Sequence, residues 1–208
     1  MRTILILAPH TDDGEFGCGA TIAKFTSQGD RVVYVAFSAA EQSVLPHLPR
    51  NILRKEVLLA TSCLGIKSEH CLVYEFEVRR FSESRQEILD LMIKLNQKYM
   101  PDMVFLPSLN DTHQDHHVIA TEGFRAFKRT TILGYEVPWN NLNFKTSCFI
   151  EISEENLKKK IEALALYESQ KHRSYATSKF IESLAITRGV QIDKKYAESF
   201  EVVRWLIN

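Results

Sequence analysis

The chain has 208 residues, and its 26 Lys plus Arg balance 26 Asp plus Glu, giving a formal net charge of zero with neutral histidines. That length suits one α/β domain, 1–208, with a sizeable core. Balanced charge without long runs of one sign disfavours nucleic acid or an anionic membrane surface as a partner, and no apolar run approaches a membrane span.

Residues 3–8 (TILILA) form a continuous β-prone apolar run, the pattern of a strand buried on both faces of a parallel sheet. The run starts directly after Met1-Arg2 and stops at Pro9-His10, too short for the apolar core of a signal peptide. A dense polar cluster follows at once, with His10, Asp12, Asp13 and Glu15 inside six positions. The spacing predicts a helix over 17–28, closed by Gly29, and a second buried strand over 31–37, so a βαβ unit opens the chain. Residues 38–49 read as a long loop at the same end of the sheet as the cluster, where loops carry function.

Further on, the pattern predicts a helix over 53–64 and a strand over 71–76. Ser84 with Glu87 reads as a capping box opening a helix that Pro101 ends. Residues 103–107 (MVFLP) read as a fourth buried strand, followed by a second polar cluster, Asn110-Asp111-Thr112-His113-Gln114-Asp115-His116-His117. A helix over 118–129, strands over 131–137 and 147–152, and helices over 153–170 and 180–188 complete the series. The apolar tail, 200–207, docks as a strand. Cys18, Cys63, Cys71 and Cys148 lack CxxC spacing, which suits reduced thiols in the cytoplasm.

Both clusters leave strands at one sheet edge, where an open α/β sheet places its ligand. His10 and Asp13 are close enough in sequence to hold one ion. Two imidazoles and a carboxylate with an open fourth position make a catalytic zinc site, where the metal acidifies a water and polarises a carbonyl. Asp12 could accept the water's proton, and His113 could pass a proton to the leaving group with Asp115 or Asp111 orienting a ring nitrogen.

These residues resemble the LmbE-like, or PIG-L type, zinc N-deacetylases, whose signatures are PHPDDE and HPDH. The resemblance rests on Pro9-His10-Thr11-Asp12-Asp13, Gly17-Cys18-Gly19 and His113-Gln114-Asp115-His116. Glu56–Ile66, Tyr135–Pro138, Lys159–Gln170 and Tyr196–Glu201 extend it over nearly the whole chain. It implies a Rossmann-like three-layer α/β fold with a mostly parallel sheet, one zinc ion on His10, Asp13 and His116, Asp12 as base and His113 as acid. It also implies an N-acetylated amino sugar or glycoconjugate precursor as substrate. A His2Asp site accepts other divalent ions such as Fe2+. Thr11 and Gly14 depart from the signature without removing a ligand or the base. The family's substrate-binding arginine falls at Leu53, leaving Arg50 and Arg54 as candidates. The oligomeric state stays open, with a homo-oligomer allowed.

Blander readings stand beside these. Asp and its neighbours at helix starts also serve as caps. His117 should point away from the site, and His47, His70 and His172 read as surface residues. Cys18 reads as a small buried residue, and Glu15 as either a partner of a ligand histidine or an acid favoured near a helix N-terminus. Two rival functions remain. Asp115-His116-His117 also spells the signature of the DHH phosphoesterases, whose two manganese ions need further carboxylates, for which Asp90 and Asp102 are the candidates. The other rival is a non-catalytic sugar-binding member of the fold, which would need neither base nor acid.

Overall fold

The computed structural model describes residues 1–207. In chain order its elements are β1 (Thr3–His10), α1 (Asp13–Ser27), β2 (Arg31–Ser38), α2 (Ile52–Cys63), β3 (Cys71–Val73), α3 (Arg85–Tyr99), β4 (Met103–Pro107), α4 (Gln114–Ala126), β5 (Thr131–Tyr135), β6 (Cys148–Glu151), α5 (Glu154–Ala165), α6 (Ser178–Val190) and β7 (Ala197–Arg204). The strands form one sheet in the order β3-β2-β1-β4-β5-β7-β6. The first five pair in parallel, and β7 runs antiparallel between β5 and β6.

Alternation along β1 shows why three layers form. Ile4, Ile6 and Ala8 pack on one face with Ile22 of α1, Val57 of α2 and Ala163 of α5. Leu5 and Leu7 pack on the other with Ile88 and Met92 of α3 and Ile119 of α4. A strand with helices on both faces has no solvent side, hence its uninterrupted apolar run. Each of these Ile, Leu, Val and Met side chains contributes about 1.5–3 kcal/mol by leaving water. A third cluster, including Leu157, Ile181 and Tyr196, seats α6 against α5.

Several elements depart from expectation. β3 stops at Val73; beyond it the Tyr74 and Phe76 N–H groups still donate to the Ala36 and Phe37 carbonyls of β2, and Ser38 and Glu75 form an isolated bridge. Ser84 precedes α3 but its side chain caps nothing; the capping box forms instead at Ser153 and Asn156 before α5. Most consequential for the site, α1 begins at Asp13 and α4 at Gln114, each four residues before the expected start. Each polar cluster therefore runs into a first helical turn, with Asp13 and Glu15 inside α1 and Asp115 and His116 inside α4.

Helix α1 is broken at Cys18, whose φ of −147° is not helical. Such a break orphans backbone groups in a buried place. Lys160 of α5 donates to the Phe16 carbonyl at 2.6 Å, and Glu198 of β7 accepts from the N–H groups of Ala20 and Thr21 at 3.2 and 2.7 Å. Lys160 and Glu198 also pair with each other at 2.7 Å. Before the break the helix lies tightly on the sheet. A Cβ on Gly14 would fall 2.6 Å from Tyr34 Cε2, and one on Gly17 would fall 2.3 Å from Tyr135 Cδ2. Glycine is thus required there by close approach, which accounts for Gly14 in place of the signature's acid.

The order 3-2-1-4-5 reverses between β1 and β4, so loops leaving those two strands diverge and open a crevice at their C-terminal ends. The first cluster leaves β1 and the second leaves β4.

Candidate metal centre

At that crevice His10, Asp13 and His116 each aim a ligand atom at one point, the atoms lying within 4.8 Å of one another. Asp13 Oδ2 is 3.1 Å from His10 Nδ1 and 3.2 Å from His116 Nε2. It also accepts the His10 backbone N–H at 2.8 Å, which fixes the turn from β1 into α1.

The opposite nitrogen of each ring is held by a second carboxylate. His10 Nε2 meets Asp115 Oδ2 at 3.0 Å, and His116 Nδ1 meets Asp111 Oδ2 at 2.7 Å. A histidine whose far nitrogen gives its proton to a carboxylate turns a lone pair toward the shared point, the arrangement that orients metal-ligating imidazoles. Two lone pairs and an anionic oxygen facing one another at about 3 Å repel unless a cation lies between them. The protonation equilibria say the same. Burial opposes a charge on His10, yet Asp115 and Asp13 outweigh it and raise the ring to about 9. Burial likewise opposes charge on His116, but Asp13 and Asp111 raise it to about 10. Burial works against ionisation of Asp13, and the two rings overcome it, holding the carboxyl far below the usual range. Protons stand in for the cation the donor set asks for, and two nitrogens with one carboxylate suit zinc or a similar divalent ion.

A second grouping, His10, His113 and Asp115, also has converging donor atoms. It fits a metal less well, because Asp115 does not face the cavity and its carboxylate already accepts from the Arg79 and Phe81 N–H groups at 2.6 and 3.4 Å. The first triad opens directly on a cavity of about 240 Å³. Asp12 and His113 line the same cavity. The Asp12 carboxylate has no hydrogen-bond partner among the described residues, and burial together with Asp13 pushes it up to about 7. His113 caps α4, its Nδ1 accepting the Asp115 N–H at 3.1 Å, so a neutral ring carries its proton on Nε2. Burial, then the rings of His116 and His10, lower its pKa.

Residues 5–127, more than half the chain, match the family described as GlcNAc-PI de-N-acetylase, PIG-L. The chain belongs to the PIG-L family. Among curated relatives, the diacetylchitobiose deacetylase of Thermococcus kodakarensis is 24% identical over 98% of this chain and 84% of its own. Among solved structures, the N,N'-diacetylchitobiose deacetylase of Pyrococcus horikoshii superposes with a TM-score of 0.81 at 21% identity, covering 97% of this chain and 84% of that one. The 4-carboxy-2-hydroxymuconate hydratase GalB of Pseudomonas putida KT2440 reaches 0.82 at 19% identity, covering 100% and 98%. The PIG-L fold thus accommodates proteins named for different reactions, and chemistry must be argued from side chains.

Within this PIG-L chain the six anticipated site residues, His10, Asp12, Asp13, His113, Asp115 and His116, come together. The partner expected for Asp115 is different, however. Its carboxylate holds His10, and that of Asp111 holds His116; neither binds the ring of His113. Glu15 touches none of His10, Asp13 and His116. It is fully buried between the hydroxyls of Tyr34 and Tyr167, which also contact the Thr11 carbonyl at 2.9 and 2.8 Å. Burial pushes it up to about 8, against the pull of those hydroxyls. Cys18 is buried with its thiol on the Gly14 carbonyl, and His117 is exposed. Asp90 binds Gln86, and Asp102 binds the Thr3 N–H at the opposite end of β1, so neither supplies a second metal.

Arg50 and Arg54 do not line the cavity, and Arg54 is paired with Glu41 and Glu75. Arg79 and Arg173 line it instead, as do the exposed His172 and the stacked rings of Trp139 and Tyr175, whose centroids are 3.7 Å apart. They come from three places in the sequence, Arg79, Trp139 and the stretch 172–175, all outside the long helices and the strands, where periodicity gives no signal.

Proposed function

We propose that the protein is a metal-dependent N-deacetylase that hydrolyses the acetamide of an N-acetylated amino sugar or sugar conjugate. The observation carrying this reading is the convergence of His10, Asp13 and His116 beside the unpartnered carboxylate of Asp12 in one cavity. His10, Asp13 and His116 would hold zinc. When bound, such an ion acidifies a water and polarises the acetyl carbonyl.

The chain's own groups supply the rest. Asp12, free of protein hydrogen bonds, takes a proton from the attacking water. Asp111 and Asp115 fix the two ligand rings in the required tautomer. His113 lines the cavity; taking up a proton releases its Nδ1 from the Asp115 N–H, and the charged ring then hands a proton to the departing amine. The PIG-L match and the deacetylase relatives support the acetyl sugar as substrate. The reading takes residues 1–208 as one catalytic domain and, with all four cysteines free, the cytoplasm as its compartment.

The test is acetate release from a panel of N-acetyl sugars, nucleotide-linked sugars and sugar lipids, with metal content measured per chain. One zinc per chain and acetate from at least one class is expected. A folded, zinc-loaded protein that releases acetate from none of them refutes the reading, and a sugar bound but never cleaved would make it a binding module.

A further inference from the structure

Arg79 has a φ of +69°, in the left-handed region that residues with a Cβ rarely enter. It occupies the third position of the turn Glu77–Arg80, closed by the Arg80 N–H donating to the Glu77 carbonyl at 3.1 Å, where glycine or asparagine is the usual residue. Met100 takes the same region as the residue ending α3, a common helix stop, but Arg79 follows no helix.

Two contacts hold it there. Its N–H donates to Asp115 Oδ2 at 2.6 Å, and its carbonyl accepts from Gln114 Nε2 at 2.6 Å. Both partners lie in the first turn of α4, and Asp115 is the carboxylate that orients His10. The backbone of Arg79 is therefore locked to the metal centre, and glycine would take the same conformation without strain. A long cationic side chain kept at such a position has a use in the cavity it lines.

That side chain has charge to spare. Its Nη2 lies 3.4 Å from Ser43 Oγ, and no carboxylate pairs with it among the described residues. The adjacent Arg80 is taken by Glu77 and Glu83. Among the described residues the only acids lining the cavity are Asp12 and Asp13, and Asp13 is engaged by both His10 and His116.

We propose that Arg79 is a specificity-determining residue that binds an anionic group, phosphate or carboxylate, carried by the substrate away from its acetamide. The guanidinium fork matches either anion in bidentate fashion. The inference rests on the deacetylase reading for the reaction, and on the cavity alone for the binding.

The test compares acetate release by the zinc-loaded full chain from N-acetylglucosamine 1-phosphate, a carboxymethyl glycoside and the neutral methyl glycoside. The native protein should favour at least one charged sugar in kcat/KM. Arg79→Met, which keeps an unbranched stem and the backbone demand but removes the charge, should lower that preference by about 10–100-fold, mainly through KM. Arg79→Lys should restore part of it. Which charged sugar is favoured tells phosphate from carboxylate. Calorimetry with glucose 1-phosphate against methyl glucoside reads the same site without catalysis. If no sugar is deacetylated yet glucose 1-phosphate binds and Arg79→Met abolishes binding, the deacetylase reading falls and the anion site stands. Equal handling of charged and neutral sugars by the native protein overturns the proposal. So does an equal loss on all three substrates in Arg79→Met, which would mark a structural role through Asp115, or a preference lost only in Arg173→Met.

Discussion

Replacing Asp115 by asparagine tests whether the carboxylates behind the histidines matter to the metal. Asp115 is fully buried and accepts three hydrogen bonds, from His10 Nε2 at 3.0 Å, the Arg79 N–H at 2.6 Å and the Phe81 N–H at 3.4 Å. The first two share Oδ2, so an asparagine would keep its oxygen there and turn its amide nitrogen toward Phe81, losing only the longest bond. That loss costs about 1 kcal/mol of stability. The negative charge behind His10 disappears as well, which weakens the ring as a ligand and should lower zinc affinity by about 10–100-fold. At 1.36 kcal/mol per decade this is about 1.4–2.7 kcal/mol, larger than the structural cost and separable from it. Chelator competition gives the affinity directly. Thermal unfolding with and without zinc gives the same quantity by linkage, since the stabilisation from saturating zinc shrinks in step with affinity. A zinc Kd within twofold of the native value would refute the argument that Asp115 orients a ligand.

Asp12→Asn should keep zinc while kcat falls about 10²–10⁴-fold, and Asp13→Asn should lose zinc first, with activity partly recovered in excess metal; the opposite pattern would exchange their roles. His116→Ala should fold but bind little zinc, whereas the exposed His117→Ala should bind it normally, and metal analysis of the two purified variants decides the register. An acid must be protonated to act, so activity should decline as pH rises through the pKa of His113, which lies below the usual histidine value; His113→Gln should remove that limb of the rate profile. Lys160→Met leaves Glu198 buried without its cation beside the break in α1 and should cost about 3–5 kcal/mol in urea unfolding. A cost under about 1 kcal/mol would mean that the pair does not hold the break.

The parallel core of the sheet was legible because β1, β2 and β4 are buried on both faces and carry runs that little else produces. Helix starts were not. Asp13, Glu15, Asp115 and His116 are buried polar residues in first turns, and a search for apolar periodicity passes over them. The place of β7 between β5 and β6 was equally hidden, since its pairing with Leu133 and with Phe149 is set by contacts remote in sequence. Spacing brought His10 and Asp13 together correctly because a strand-to-helix turn is a local matter. It could not say whether Asp111 or Asp115 stands behind a given histidine, because that depends on how α4 lies across the end of β1. Arg79 left no trace, since its distinction is a backbone conformation imposed by Asp115 and Gln114.

Charge and not shape distinguishes the chemistry of this site. Solved structures named as a deacetylase and as a hydratase match this chain with TM-scores of 0.81 and 0.82, so the sheet and its crevice do not choose between reactions. Asp12, Asp13, Asp111 and Asp115 do narrow the choice. Four carboxylates around two imidazoles, three of the four buried, would be a costly arrangement if the rings were neutral and nothing else lay between them. The rings escape this only by holding protons up to about 9 and about 10. A divalent ion at the shared point of His10, Asp13 and His116 would replace those protons and release both nitrogens as ligands, while Asp12 has no side-chain partner to lose. One carboxylate is then left free to act on water, a division of labour that a cap or a binding pocket does not require.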